Sequence, residues 1–499
     1  MKSARSCARS VIRCILSHVP RQEFDVVVVG AGSAGCALAA RLADDPARRV
    51  LLLEAGPGGP APDLLDVGSL AATRPGHPSN WAYPAQLRPG CVTTVPRGRG
   101  LGGSSAINGA NWVRATPADA DGWGVPGWTW ADLLPHYVRS EHDLDHPGAP
   151  WHGDRGPVSV RRPSGDLLHP ATPRFLDAAR RLGFPAEPDK NAGGAPGAGL
   201  VPSNGIDGVR VSTAQAYLHP PRAGLVVRPD AAVARVLFDG DRARGVELLD
   251  GTVVEAGEVV LAAGAIATPH LLLLSGIGPP DDLRTAGVPV ARELPGVGRD
   301  WSDHPVVYLP FATADPPAHP HASCVQAALD LDAGADPAGD VEVMLFVRPF
   351  DGGTDLHLMC ALQHPDSRGT ITLTSTDPRV RPRISYAYLR TEHDRRRLRH
   401  AIRVGADLLR AGLGVRAAPA GDVLGSDHAL DGWIAAHLDT AQHLSGSAAM
   451  GPVVDAQLRV HGVPGLRVAD TSVLPVVPRR GTAATAVAVG EKAATLLCA

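Results

Sequence analysis

Two short, unbroken apolar runs open the regular part of the chain, Phe24-Asp25-Val26-Val27-Val28-Val29 and Val50 to Leu53. Aliphatic runs without polar alternation predict strands covered on both faces, as in a parallel sheet between helix layers. Gly30-Ala31-Gly32-Ser33-Ala34-Gly35 lies between them and predicts a tight turn that enters a helix. Helical patterning marks Trp128 to Pro147, about Pro173 to Leu182, His270 to Leu274, about Asp394 to Leu409 and about Thr482 to Leu497. Val158 and Val160 alternate within a short strand, while Leu225 to Arg228, Ala232 to Asp239 and Gly245 to Leu248 read as a small antiparallel meander. Val259 to Leu261 begins a buried strand that passes into small residues up to Pro269, and Leu466 to Ser472 is a strand that delivers Asp470. Val341 to Val347, Leu356 to Leu362 and Gly369 to Thr374 are strand-like, so residues 301–440 predict a mixed sheet with helices. Residues 57–100, rich in Gly, Pro and Thr, are expected to form excursion loops. Pro96 to Gly109 is too glycine-dense for a strand or a helix start, yet Ile107 and Trp112 mark it as packed. Such a segment suits close backbone approach to a flat ring.

At 499 residues the chain predicts two domains around a large core. A formal net charge of -3 excludes a global field that recruits nucleic acid or acidic substrates. The 56 Gly and 46 Pro, without a low-complexity tract, predict a turn-rich fold rather than disorder. Seven scattered cysteines without CxxC spacing argue against a zinc site or a disulfide scaffold and fit a reducing cytoplasm. No apolar run approaches the roughly 20 residues of a bilayer span. Arg5, Arg9 and Arg13 share one helical face opposite Val11, Ile12, Ile15 and Val19. Residues 1–22 therefore read as a basic extension, with a membrane-surface helix as the alternative.

The strand, glycine turn, helix, second strand and Glu54 occur in the order of a dinucleotide fingerprint. There, glycine admits the pyrophosphate, the helix amides point at it, and the acid accepts from a ribose diol. No arginine follows Glu54 closely, which disfavours a 2′-phosphate and leaves NAD or FAD. The chain returns to this region at 245–280 and 465–497, an interleaving that suits a long, buried, permanent cofactor, FAD, better than NAD. The expected organisation is an FAD-binding domain in three parts, 23–140, 205–300 and 451–499, with a substrate domain in two parts, 141–204 and 301–450.

Arg97 to Asn108, Gly264 to Pro279, Leu294-Pro295-Gly296-Val297-Gly298-Arg299-Asp300 with Asp303-His304-Pro305, and Gly465 to Pro475 with Gly490-Glu491-Lys492-Ala493-Ala494 follow one another along the chain. In these motifs residues 23–499 resemble the glucose-methanol-choline (GMC) flavoprotein oxidoreductases. The resemblance implies an α/β fold, a Rossmann-like FAD-binding domain discontinuous in sequence with an α+β, mixed-sheet substrate domain, and hydride transfer from an alcohol carbon to flavin N5. It implies that Gly30, Gly32 and Gly35, with Ser33 at the helix start, face the pyrophosphate, Glu54 the adenosine ribose, and Val233 the adenine. Gly102, Gly103 and Asn108 would lie by the isoalloxazine, with Asp470 and the amides near Thr482 at its other edge. Ile107 occupies the place where some members tether FAD through histidine, so non-covalent FAD is expected, and no metal. The same resemblance puts the catalytic base at His443, whose imidazole suits proton acceptance near neutral pH.

The family's second catalytic residue, His or Asn, falls at Gly481 here. Thr482, Arg480 or a residue from elsewhere is then expected to take over, unless the chemistry itself is altered. Gln442 to Gly451, Arg480-Gly481 and Asp207-Gly208-Val209-Arg210 resemble the mycofactocin-associated members. That likeness implies a dehydrogenase oxidising reduced mycofactocin, a small peptide-derived donor, and passing electrons to a respiratory acceptor. The expected site is cytoplasmic, with peripheral contact at the inner face of the membrane left open. A generic alcohol or choline-type dehydrogenase or oxidase, and a redox-silent lyase or photodecarboxylase-like member, are the alternatives.

Overall fold

A computed structural model describes residues 24–59, 62–334, 336–350, 353–413 and 419–498; the basic extension 1–22 lies outside the described residues. The first apolar runs form the centre of a parallel sheet. Leu225–Arg228, Val50–Leu53, Phe24–Val29, Val253–Leu261 and Leu466–Val468 lie side by side in that order, all parallel. Val26 to Val29 are at most 5% exposed, as expected for strands covered on both faces. Val253–Leu261 serves two sheets. Its first residues pair antiparallel with Arg242–Leu248, and its last three pair with Phe24–Val29 and Leu466–Val468. Val233–Asp239 completes that antiparallel layer. Leu225–Arg228, expected in the meander, instead adds a parallel edge to Val50–Leu53. Its alternation reports one covered face and is silent about which strand it joins.

The helix Ser33–Leu42 and the C-terminal helix Ala483–Cys498 cover one face together. They touch backbone to backbone, because a Cβ on Gly490 would stand 2.3 Å from the Ala34 carbonyl oxygen. The buried Glu491 beside it ties this contact down: Arg41 Nε donates to it at 3.0 Å and Tyr217 Oη at 2.7 Å.

The second large sheet corrects the expected mixed topology. Asp439–Thr440, Pro305–Phe311, Leu356–Leu362, Val341–Phe346, Val325–Leu331 and Ala198–Leu200 pair antiparallel throughout. Unbroken apolar runs arise because both faces are covered, whatever the strand direction. A parallel pairing occurs instead in a four-stranded sheet, where Ser385 meets Gln86. The hairpin Tyr83–Arg88 and Cys91–Val95 in that sheet lies in the segment expected as loops. It buries only Tyr83, Ala85 and Leu87 on its first strand, a pattern diluted by polar alternates and Pro84. The expected helix Trp128 to Pro147 is shorter, Trp130–Ser140, and runs into the strand Glu141–Asp143. Gly264–Leu274 is helical six residues earlier than expected, with Pro269 inside it. Proline cannot donate to the Ala265 carbonyl, and Ser447 Oγ donates there instead at 2.6 Å, which fastens the His443 loop to this helix. No helix among the described residues is long and apolar enough to cross a membrane.

Gly490→Val is expected to force the two helices apart and to cost about 1–3 kcal/mol, the usual range for overpacking. Differential scanning fluorimetry should read this as a lower Tm; an unchanged Tm would show that the helix pair tolerates separation.

Candidate active site

One continuous cavity of about 1180 Å3 runs between the two sheets, larger than the roughly 300–1,000 Å3 of a single small-ligand pocket. Gly30, Gly32, Ser33, Glu54, Gly103, Asn108, Val233, Asp470, Thr482 and His443 all line it, as do Ile107 and Gly481. Gly35 and Gly102 do not line it. Gly35 packs beneath Gly30, and the Gly102 amide donates to the Ala31 carbonyl at 2.8 Å. Both therefore shape the cradle from behind. The two glycine loops meet where a Cβ on Gly103 would stand 2.7 Å from Gly32 Cα, whereas one on Gly32 would meet nothing within 4 Å. The space in front of Gly32 is open, as a pyrophosphate requires, and the long cavity with glycine along its wall fits an extended dinucleotide.

Buried carboxylates hold these loops. Glu54 accepts from the amides of Ala31 at 3.0 Å, Gly56 at 2.9 Å and Gly100 at 3.0 Å. It thereby joins the two glycine loops while remaining on the cavity wall where a ribose would lie. Burial pushes its pKa up, against the pull of those amides. Asp470 accepts from the Gly264 amide at 2.8 Å, Thr268 Oγ1 at 2.6 Å and the Ser472 amide at 2.8 Å. Thr482 stands at the N-terminus of Ala483–Cys498, where free amides and the helix dipole favour an electron-rich group.

Asn108 is held by a residue that carried no role in the sequence reading. Arg210, fully buried, donates to the Asn108 carbonyl at 2.5 Å and to its Oδ1 at 2.8 Å. It also reaches the Leu64 and Ser69 carbonyls at 3.1 Å each. Burial with no carboxylate bonded to it lowers its pKa to about 10. The signal was the string Asp207 to Arg210, noticed only for its likeness to a subfamily.

His443 is set by Asp303 and His304. Asp303 Oδ1 accepts the His443 amide at 2.7 Å and the His304 amide at 2.7 Å, and Oδ2 accepts Thr440 Oγ1 at 2.9 Å. Burial raises Asp303 to about 6, opposed by Arg97. Arg97 in turn donates to the Gln442 carbonyl at 2.6 Å. The rings of His304 and His443 meet edge to face, Nδ1 to Nδ1 at 2.9 Å, so one nitrogen is protonated and the other is not. The Pro478 and Gln363 carbonyls favour a proton on the His304 ring, although neither completes a hydrogen bond to Nε2. With its Nδ1 engaged, we assign that proton to His304 Nε2. His443 then donates from Nδ1 and keeps the Nε2 lone pair. Burial, followed by the Arg97 charge, holds His443 down at about 3, so its imidazole is neutral at physiological pH.

Nε2 faces Gly481: a Cβ added there would lie 3.7 Å from it, an ordinary contact. Backbone space thus admits a side chain at 481, and this chain has none. Arg480, one expected replacement, is excluded. It is buried and paired with Glu187 at 3.0 Å and with Asp330, and it does not line the cavity. Thr482 does.

Models of the N-terminal and C-terminal GMC oxidoreductase domains match residues 24–306 and 365–490. An uncharacterized GMC-type oxidoreductase of Rhodococcus erythropolis is 40% identical over 494 residues, covering 95% of this chain and 98% of the relative. Mitochondrial choline dehydrogenase of Mus musculus is 36% identical over 571 residues, 98% of this chain and 91% of that protein. Among solved structures, pyridoxine 4-oxidase from Mesorbium loti superposes with a TM-score of 0.88 at 30% identity, covering 95% of this chain and 99% of that one. Formate oxidase superposes with a TM-score of 0.87 at 26% identity, covering 96% and 98%. The chain belongs to the GMC oxidoreductase family, whose members bind FAD and act on CH–OH donors.

Proposed function

We propose that this protein oxidises a small alcohol by a dehydrogenase or oxidase reaction, with His443 as the base and FAD held without a covalent bond. The observation that carries the reading is the His443 ring on the wall of the cavity that also holds the glycine cradle, its Nδ1 met by His304 at 2.9 Å and its Nε2 beside Gly481. Glu54, Asp470 and the Gly32–Ser33 turn would hold the cofactor, and Ile107, buried and on the cavity wall, supplies no nucleophile to tether it. When bound, FAD supplies the two-electron acceptor for the hydride leaving the carbinol carbon. The hydroxyl proton passes to His443 Nε2 as the carbonyl forms. The positive charge created on His443 is shared with His304 across the Nδ1 contact, while Asp303 keeps the loop in register.

A second reading takes reduced mycofactocin as the donor, with electrons passed to a respiratory acceptor. Its support is Gly481, which leaves the space opposite Nε2 free of any side chain and open to a donor bulkier than a simple alcohol. Anaerobic titration separates the two readings. Bleaching by simple alcohols in the dark supports the first, whereas bleaching by the reduced carrier alone supports the second. No bleaching by any donor would remove both in favour of a redox-silent role.

His443→Ala should slow anaerobic flavin reduction about 10²–10⁴-fold, the range for loss of a general base, with FAD content unchanged; a loss below fivefold would displace His443. The acid limb of the reduction rate is expected near pH 6. A proton on Asp303 weakens its hold on the His443 amide there, whereas His443, held near 3, remains neutral. Asp303→Asn should flatten that limb, and a limb that persists in the variant belongs to another group. Acid or heat denaturation should release all of the flavin into the supernatant; flavin retained on the precipitated chain would refute non-covalent binding.

A further inference from the structure

Among the described residues, every buried arginine but one meets a carboxylate. Arg114, Arg162, Arg397, Arg399, Arg479 and Arg480 pair with Glu141, Asp143, Asp394, Asp431, Asp119 and Glu187 respectively. Arg210, 1% exposed, is the exception. Its Nε donates to the Leu64 carbonyl at 3.1 Å, its Nη1 to the Asn108 carbonyl at 2.5 Å and Oδ1 at 2.8 Å, and its Nη2 to the Ser69 carbonyl at 3.1 Å. These acceptors are all neutral oxygens, which satisfy the N–H groups and leave the charge without a bonded counterion. A tie to carbonyl oxygens needs donors, not a charge.

The acid that acts on Arg210 is Asp66, through space, and its carboxylate is already bonded to Arg348 at 3.2 Å. Cys324, also nearby, is a thiol whose pKa burial pushes up, so it stays neutral. Two guanidinium groups thus share the Asp66 carboxylate.

A tight hairpin delivers the Arg210 side chain. Gly205–Ile206 and Val209–Arg210 pair antiparallel across Asp207 and Gly208, whose φ angles are 49° and 82°, a two-residue turn that glycine suits. The Arg210 amide donates to the Leu65 carbonyl at 2.7 Å and the Val67 amide to the Gly208 carbonyl at 3.0 Å. The hairpin is therefore stitched to the loop that carries Ser69 on the chamber wall. The guanidinium itself stays behind that wall, because Asn108 and Ser69 line the cavity and Arg210 does not.

Hydride transfer changes the charge on the other side of Asn108. Two electrons and one hydrogen leave the carbinol carbon for flavin N5 while the hydroxyl proton goes to His443, so the flavin ring, neutral when oxidised, gains one negative charge. We propose that Arg210 is an electrostatic positioning residue for the cofactor: its buried positive charge, held behind Asn108, stabilises the reduced flavin and raises the reduction potential. A charge in a low-dielectric interior acts across several ångströms, so contact with the ring is not required. The inference rests on the reading that FAD lies in this cavity with its ring beside Asn108, and it is independent of which alcohol is the donor.

The test uses no alcohol. FAD-loaded parent, Arg210→Gln, Arg210→Lys and Asp66→Asn proteins are reduced stepwise with dithionite against reference dyes, and the midpoint potential is read from the flavin absorbance. Arg210→Gln should move the equilibrium about tenfold or more toward oxidised flavin, a potential about 30 mV lower for a two-electron couple. Arg210→Lys, which keeps the charge and loses the planar fork, should stay within about threefold of the parent equilibrium. Asp66→Asn removes the acid facing Arg210 and should raise the potential. An unchanged potential in Arg210→Gln overturns the proposal, as does an equal fall in Arg210→Gln and Arg210→Lys, which would trace the effect to the lost bonds. Should Arg210→Gln not retain FAD, Asp66→Asn decides, since that side chain is 44% exposed; an unchanged or lower potential there overturns the proposal. A parent protein that takes up no FAD would overturn the cofactor reading and this inference together. Potentials that follow the charge, without reduction by any alcohol, would uphold the inference and remove only the alcohol-oxidising reading.

Discussion

A buried carboxylate that gathers backbone N–H groups from separate loops is the interaction on which the rest of the site depends. Glu54 collects Ala31, Gly56 and Gly100; Asp470 collects Gly264 and Ser472; Asp303 collects His304 and His443. Loops that pass close to a cofactor cannot pair their amides in a sheet, and an amide buried without a partner costs as much as a lost hydrogen bond. A carboxylate has room for several donors at once. One such side chain therefore holds two or three loops in fixed relation, and the cavity between them keeps its shape.

The same device leaves the His443 ring free of its own loop. Asp303 binds its backbone, not its ring, so the ring is free to meet His304. Oriented by that contact, the imidazole is held in its neutral form by burial, with the Arg97 charge second. Gly481 stands beside His443 Nε2 and offers it no side chain.

Much of this was legible in the residues. The buried strands, the glycine turn, Glu54 and the acid at 470 follow from local pattern, because burial on both faces and tight turns restrict composition within a few residues. The parallel position of Leu225–Arg228, the antiparallel course of the second sheet and the hairpin at 83–95 were not legible. Alternation and unbroken runs report how many faces are covered, and strand direction is decided by connections and partners distant in sequence. Arg210, Asp303 and His304 stood in recognisable strings, but what they hold was not legible, for a related reason. A lone charged or imidazole side chain carries no periodicity, and its role exists only once a partner more than a hundred residues away, such as Asn108 for Arg210 or His443 for His304, is folded against it.

The sequence by itself determined the glycine turn between two buried strands, the acid that follows it, and which side chain, or none, stands at 443 and 481, since each is read within a short string. Only the tertiary structure decided which nitrogen of His443 faces Gly481 and that Arg480 pairs with Glu187 and Asp330 instead of lining the chamber. Those outcomes are set by distances between charges in a low-dielectric interior. Such interactions reach across segments that composition and spacing treat as unrelated.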